Sequence, residues 1–457
     1  MAWTINNGKL YFNSVLYTGN GGNGHTISGV GFQPDFTWLK GRSSALAHMW
    51  VDAVRGVNTV INSNTSNAET TFNCLDPWNA DGFVLSNNSN FNGNGVTFVA
   101  WNWLAAGTAP SNTYAVKVVS DGGNKYRFDD FGASAVTLEI SEGGTFTFDQ
   151  SDSSNNGHPL RFSTTSDGTH GGGSEYTTGI TVSGTPGQAG AKTVIVVAAS
   201  APTLYYYCTV HSGMGGQANT PVTNSFSNFA GSIQSNISPN TTSKFSIVSY
   251  TGTGSNATVG HGLGVAPTMM IIKNRDDTDS WYVWQQNLGA VASNYINLNT
   301  TGAKSSVSDG ITALSSSTFS LGNRGDVNAS SEKYIAYCFA DVQGYSKFGS
   351  YTGNGSTNGT FVYTGFKPAF VLYKKFSGTE NWFMHDNKRQ GYNPDNEYLF
   401  PDLDSAEGSL NRINLLSNGF KATTSDGGIN GSGATYIYMA FAENPITSST
   451  GVPSTAR

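Results

Sequence analysis

One phrase occurs three times in this chain: LYTGNG at Leu16–Gly21, SYTGTG at Ser249–Gly254 and SYTGNG at Ser350–Gly355. Each is followed by a Gly-x-x-Pro step and a short apolar run that ends in lysine: GFQPDFTWLK from Gly31, GVAPTMMIIK from Gly264 and GFKPAFVLYK from Gly365. In every copy the lysine (Lys40, Lys273, Lys374) stands six residues after the proline (Pro34, Pro267, Pro368). A chain built this way folds as a small module used three times. Copying of this kind suits proteins that hold or display surfaces better than it suits catalysts.

The copies also end alike. TFVAWNWL (Thr97 to Leu104), KYIAYCFA (Lys333 to Ala340) and TYIYMAFA (Thr435 to Ala442) align without gaps. Large side chains alternate along them: Val99, Trp101 and Trp103; Ile335, Tyr337 and Phe339; Ile437, Met439 and Phe441. A period of two is a strand with one face in a core. Phe83, Phe319 and Phe420 precede these strands after turn-rich segments such as Asn79-Ala-Asp-Gly82. Helical signals are scarce, and the best candidate, Ser405 to Leu416, is interrupted by Gly408. With 56 glycines, 12% aromatic and only 12% charged residues, the composition suits short strands, many turns and aromatic cores. The expected fold is all-β: a multi-domain chain of antiparallel β-sandwich modules.

Spacing divides the chain. The second and third prolines are 101 residues apart (368 − 267), the first and second 233 (267 − 34). The excess is a separate domain plus a linker. The expected layout is a first module over 1–110, an inserted domain over 111–222, a linker over 223–246, a second module over 247–345, a third over 346–445 and a tail over 446–457. The linker and tail are polar and lack a sustained period.

Several function classes recede. The net charge of −6, with no run of Lys or Arg, gives no nucleic-acid groove. No stretch approaches the roughly 20 apolar residues of a membrane-spanning helix, so no membrane insertion is expected. The opening MAWTINNGKLYFNS has no apolar core of signal-peptide length, which makes lysis the expected route of release. Cys74, Cys208 and Cys338 are widely separated and suit a reducing compartment. No Gly-x-Ser-x-Gly elbow, P-loop or His-Glu-x-x-His occurs, and no acid occupies one equivalent place in all copies. Asp52 and Asp386 are equivalent, but the second copy has Gln285 there. These two aspartates are therefore expected to pair with nearby Arg or Lys at the surface and fix a loop, and the protein is not expected to be an enzyme.

The insert carries the sharpest chemical motif. TLYYYCTVHSGMGG places Cys208, His211 and Met214 in the spacing Cys-x2-His-x2-Met, and GTFTFDQSDSSNNGHPLRFS supplies His158 upstream. A thiolate, two imidazoles and a thioether form a soft ligand set that favours copper. His25, His48, His170, His261 and His385 do not group with acids or cysteines, and are expected on the surface or in loops.

Over roughly Thr113 to Val222 this segment resembles a cupredoxin, its loop spacing being closest to that of amicyanin. The resemblance implies His158, Cys208 and His211 as equatorial ligands and Met214 as a weak axial one. It departs from the family at Val210, where many cupredoxins have proline, and in the long Gly-rich connection from Gly168 to Ala191. A metal-free sandwich that merely retains these residues, with both histidines hydrogen-bonded at one end, is the alternative.

The whole pattern, YTGNG … GFxPxF … K/R … GF … YxAxxF interrupted by this insert and closed by ENPITSSTGVPSTAR, resembles virion structural proteins of marine tailed phages, notably cyanophages. That resemblance implies a protein made in the host cytoplasm and carried on the virion surface. Its expected role is a tail-fibre-like appendage used in host attachment, with a capsid decoration protein or a copper-binding redox protein as alternatives. Its expected partners are other virion proteins, a host-surface glycan or receptor, and further copies of itself, a trimer being common for fibres.

Overall fold

The computed structural model describes residues 5, 7–390, 393, 395–442, 446–447 and 453–454. Strands dominate them, with only short single turns of helix, and the sheets are mostly antiparallel. Among the described residues no helix is long and apolar enough to cross a membrane. The chain separates into two compact units. One comprises Met1–Ala105, Pro239–Asn256 and Gly262–Arg457; the other comprises Ala106–Ser238 and Ala257–His261.

The first unit contains the three modules. In each, the strand carrying the repeated phrase pairs with the closing strand in one shared register: Tyr17 opposite Phe98, Tyr250 opposite Tyr334, Tyr351 opposite Tyr436. The closing strand then pairs with the Pro-to-Lys run (Phe36–Gly41, Met269–Asn274, Pro368–Lys375). That run pairs in turn with Met49–Asp52, Tyr282–Gln285 and Trp382–Asp386. One face of each sheet covers a local core. In the first module a small sheet of His25–Ile27, Gly82–Leu85 and Leu75–Asn79 lies over Val15, Leu39, Val51 and Phe83. The third module repeats this with Phe361–Tyr363, Gly419–Ala422 and Gly408–Leu416 over Val371, Tyr373 and Phe420.

The opposite faces of the three sheets meet each other. Trp38, Trp50, Trp101 and Trp103 of the first module join Trp281, Tyr337 and Phe339 of the second and Phe370, Trp382, Met439 and Phe441 of the third in one apolar core. Alternation predicts one buried face per strand, yet both faces are covered, so Thr97–Trp103 reads as buried over all but its first residue.

The modules contact one another cyclically. The Arg42 guanidinium of the first bonds Glu407 of the third at 2.8 Å, and Arg275 of the second bonds Glu69 of the first at 2.8 Å. At the third equivalent place Lys304 of the second lies 5.5 Å over the Phe376 ring of the third. Backbone pairs follow the same order: Glu407 N–H to Arg42 O, Glu69 N–H to Arg275 O, Lys304 N–H to Phe376 O. Each module thus grips the next, a head-to-tail arrangement that closes after three steps within one chain.

The repeated phrase has a local job. A fully buried asparagine (Asn92, Asn328, Asn430) stands at the centre of each copy. Its side-chain oxygen accepts from the backbone N–H of Asn20, Thr253 or Asn354, and its backbone oxygen from that of Gly21, Gly254 or Gly355. The phrase tyrosine stacks on its cross-strand partner at 5.1, 5.2 and 4.8 Å. YTGNG therefore ties the first strand to the turn before the last.

Asp52 and Asp386 do pair with Arg55 and Arg389, at 2.6 and 2.7 Å, but all four side chains are fully buried. The pairs are at the shared core because their strands enter it, which corrects the surface placement. His48, His261 and His385 are also fully buried: the first two lie in loops, as expected, but His385 stands in the strand Trp382–Asp386, which corrects its placement. His48 accepts the Trp38 indole N–H at 2.8 Å, and His385 bonds the Tyr373 hydroxyl at 3.3 Å. The helical candidate at Ser405 to Leu416 is instead the strand Gly408–Leu416, held by its register with Gly419–Ala422.

The second unit is a two-sheet sandwich. Ser111–Ser120 forms a hairpin with Asn124–Phe128, and runs parallel to Thr145–Asp149, which pairs with Lys192–Val196. The facing sheet orders Leu138–Glu139, Gly216–Asn219, Leu204–Cys208 and Leu160–Ser163. Phe148 against Phe162 (5.3 Å) and Phe128 against Tyr206 (5.2 Å) join the two layers. The expected linker over 223–246 is not an open connection: Phe226–Asn228 pairs with Ser235–Asn240. Phe226 packs on Phe146, and Phe229 on Tyr114 and Phe128. Two phenylalanines bury this polar segment. In the tail, Ile446–Thr447 pairs with Pro453–Ser454, a short ladder in place of the expected absence of structure, and its other residues lie outside those described.

Candidate metal centre

Cys208 ends the strand Leu204–Cys208 and lies opposite Leu160. His158 precedes that partner strand by two residues, so pairing alone carries it to Cys208. Beyond Cys208 the chain turns back into Gly216–Asn219, whose first residue opposes Tyr206. This return needs small residues. A Cβ on Gly215 would stand 1.7 Å from the Tyr206 carbonyl oxygen, and Gly213 takes φ +71°. The turn places His211 beside His158, with ring centroids 4.6 Å apart.

Cys208 Sγ lies 3.9 Å from His158 Nδ1 and 3.8 Å from His211 Nδ1. The donor atoms of all three residues fall within 4.8 Å of one another. An imidazole nitrogen at about 2.0 Å and a thiolate at about 2.3 Å from a common ion stand about 3.5 Å apart at a tetrahedral angle and about 3.7 Å apart at a trigonal one. The observed spacings match the wider angle. Cys208 is fully buried, His158 half-buried and His211 exposed. Met214, expected as the axial ligand, is buried three residues further along the same loop. Burial, and then the neighbouring His211, push the His158 imidazole below its ordinary value, which favours the neutral, ligating form. The donor chemistry and spacing fit a soft transition metal.

A second layer of residues holds these side chains. The His158 carbonyl accepts from the Tyr126 hydroxyl at 2.9 Å and from Gln150 Nε2 at 2.8 Å. Gln150 also accepts from Leu160 N–H at 3.1 Å, so one buried amide brackets His158 to Leu160. Tyr126 N–H donates to the Met214 carbonyl at 2.9 Å, and Lys125 Nζ to that of Gly213. His170 Nε2 bonds the Cys208 carbonyl at 3.0 Å. Tyr126, Gln150 and His170 escaped the sequence reading. Tyr126 alternates with Phe128 on the inward face of its strand, a signal that marks core but says nothing of a hydroxyl's partner.

A family model described as a domain of unknown function (DUF7483) matches residues 7–122 and 218–445. It passes over 123–217, the stretch that holds His158, Cys208, His211 and Met214. No curated protein and no solved structure matches the chain.

Proposed function

The chain belongs to the DUF7483 family, and from that premise we propose that it is a non-enzymatic structural protein of a tailed-phage particle. In this reading it is an exterior, tail-fibre-like appendage that presents its loops to the host surface. The observation that carries the reading is the closed ring of three modules around one core. The repeated segments are spent on packing: the phrase closes a turn, the aspartates neutralise buried arginines, and the tryptophans fill the centre. What remains for contact with a partner are the loops and outer sheets. The sequence resemblance to virion proteins supports the same role and implies other virion proteins and a host glycan or receptor as partners. Antibody labelling of particles by electron microscopy tests it. Label on tail appendages, with loss of adsorption, is expected. Label confined to capsid faces with adsorption unchanged leaves a decoration protein, and particles without label overturn the reading.

A second reading concerns the insert alone, and the spacing of His158, Cys208 and His211 favours it. These residues would hold one copper ion, with Met214 as a fourth, weaker donor. Copper would supply one-electron exchange when bound. The buried thiol shields the sulfur from solvent oxidants, while the exposed His211 gives the centre an edge at the surface. Titration of the full chain with Cu(II) tests this: one equivalent, with an intense visible thiolate band that Cys208→Ala abolishes, is expected.

A further inference from the structure

The strand Phe361–Tyr363 ends the outer sheet of the third module and carries no further strand among the described residues. Its bonds to the neighbouring strand come from alternate residues. Ala422 N–H donates to the Thr360 carbonyl and Thr364 N–H to the Asn418 carbonyl, both at 3.0 Å. In an antiparallel ladder the residues between these turn their backbone groups the other way. Phe361 and Tyr363 therefore point two N–H and two C=O groups out from the sheet edge.

Their side chains are on the outer face, while Val362 points into the local core. Phe361 is 43% exposed and Tyr363 66%. The Phe361 ring is held across Gly419, where a Cβ would stand 3.2 Å from its Cε2. The strand has no lysine, proline or bulge, the usual guards of an open edge. The other copies differ. Of His25–Ile27 in the first, only the polar Thr26 is exposed. Ala257–Gly260, at the same place in the second copy, lies in the second unit, where Ser232 and Ile233 N–H both donate to the Thr258 carbonyl at 3.0 Å. That backbone is already covered, and the one at Phe361–Tyr363 is not.

The segment is also complementary to itself. Read in either direction, 360–364 is threonine, aromatic, valine, aromatic, threonine. Laid antiparallel on a second copy about Val362, it sets each Phe361 opposite the other copy's Tyr363. This register uses every outward amide and carbonyl of both strands in four N–H···O bonds, and it brings the aromatic rings together in cross-strand pairs.

We propose that two copies of this chain join edge to edge through Phe361–Tyr363, their outer sheets continuing into one across a twofold axis at Val362. The contact is isologous, so it closes at two and leaves no edge for a third copy. It holds wherever the protein sits on a particle and whether or not the insert binds metal. So few residues on each side make a small interface, and association should depend on concentration.

Sedimentation velocity of the full chain over a concentration series tests this, with a monomer–dimer equilibrium expected. Phe361→Lys with Tyr363→Lys places like charges opposite each other at both pairs and should weaken association about tenfold or more. Phe361→Lys with Tyr363→Glu removes the same aromatic area but places opposite charges together, and should associate at least about tenfold more tightly than the first double variant. Hydrogen exchange on the wild type reads the same contact without substitution: the Phe361 and Tyr363 amides should slow as concentration rises. A chain that is monomeric at every concentration, a trimer, equal association of the two double variants, or amides whose exchange ignores concentration would each overturn the proposal.

Discussion

The Tyr337 hydroxyl of the second module donates to Asp52 Oδ2 of the first at 2.7 Å, inside the shared core. Its equivalent one step round the ring is Trp101 of the first module, whose indole N–H donates to Asp386 of the third at 3.0 Å. The equivalent residue of the third module is Met439, which has no proton to give. Facing that step the second module carries Gln285 in place of aspartate and Leu288 in place of arginine, and Gln285 Nε2 turns to the Gly349 carbonyl at 3.3 Å. Both Leu288 and Met439 lie in the shared core. The departure at Gln285 is thus one part of a three-residue exchange, Asp–Arg–donor for Gln–Leu–Met, at a single seam.

That exchange predicts strong coupling. Asp52→Ala strands the buried Arg55 guanidinium and should cost about 3–5 kcal/mol. The triple variant Asp52→Gln, Arg55→Leu, Tyr337→Met rebuilds the other solution and should cost much less than the sum of its parts. Denaturant unfolding of the singles and the triple measures this; additive losses would show that the three residues act independently.

Asp402 gives a pH signature. The backbone N–H of His48, Trp281 or Trp382, at the start of the strand that follows each Pro-to-Lys run, is held by Asn64, Asn299 or Asp402 at 2.9, 3.0 and 3.1 Å. Only the third is ionisable. Burial pushes Asp402 up to about 6, against the pull of Lys374, while nearby Glu380 adds to the rise. Its unfolded value is near 3.8, so the folded state binds the proton more tightly. The resulting stabilisation is complete below about pH 4 and is lost as pH rises through 6. Asp402→Asn should remove this slope and raise stability at pH 7 by about 1–2 kcal/mol, read as the difference in thermal midpoint between pH 5 and pH 7.

The repeat, the alternating strands and the inserted segment were legible because each rests on local periodicity. Alignment of the module ends marked the two strands, but not that they pair with Tyr17 opposite Phe98, a register set only in the folded sheet. Contacts such as Trp101 with Asp386 were not, since they join residues 285 positions apart through a core that no single module contains. Burial on both strand faces erased the polar alternation that would have marked an outer side. The segment around Phe226 and Phe229 read as a linker because its few apolar residues follow no period, although each fills a gap in the sandwich. Cys208, His211 and Met214 were legible from spacing on one loop, and His158 from the turn upstream. The hydroxyl of Tyr126 was not, because strand alternation fixes only the direction of a side chain.

The three module lysines should stabilise the fold in alkali. Lys40, Lys273 and Lys374 are almost fully buried, and each Nζ is spent on backbone carbonyls: Gly41 and Asp404, Asn274 and Asp277, Thr301 and Glu380. Burial pushes each down to about 8, against the pull of nearby carboxylates. Their unfolded value is near 10.5, so between about pH 8 and 10 these three groups bind more protons in the unfolded chain, and their contribution to stability rises with pH. Buried Cys74 and Cys338, raised by burial from about 9, oppose this from about pH 9, and the tyrosines do so further up. Burial raises Tyr17, Tyr250 and Tyr351 well above their ordinary value, so the unfolded chain alone ionises there. Lys374→Met should remove about a third of the lysine contribution, read as the difference between variant and wild type in the change of thermal midpoint from pH 8 to 10; identical changes in the two would contradict this arrangement.

The first glycine of each repeated phrase gives the most direct test of what the repeat is for. A Cβ on Gly19, Gly252 or Gly353 would stand 2.3, 2.2 or 2.3 Å from the carbonyl oxygen of Gly93, Ala329 or Gly431. Each carbonyl belongs to the turn that the phrase closes, so backbone would have to move and the bonds to Asn92, Asn328 or Asn430 would break with it. Alanine at any one of the three should cost about 2–4 kcal/mol. The loss should be of similar size at all three, because the geometry is the same. Asn92→Ala, which keeps the backbone path and removes only the side-chain bonds, should cost about 1–3 kcal/mol. If the phrase served instead as a contact surface, alanine at Gly19 would leave the unfolding midpoint where it is and change only binding. Denaturant curves on Gly19→Ala, Gly252→Ala and Gly353→Ala decide between the two.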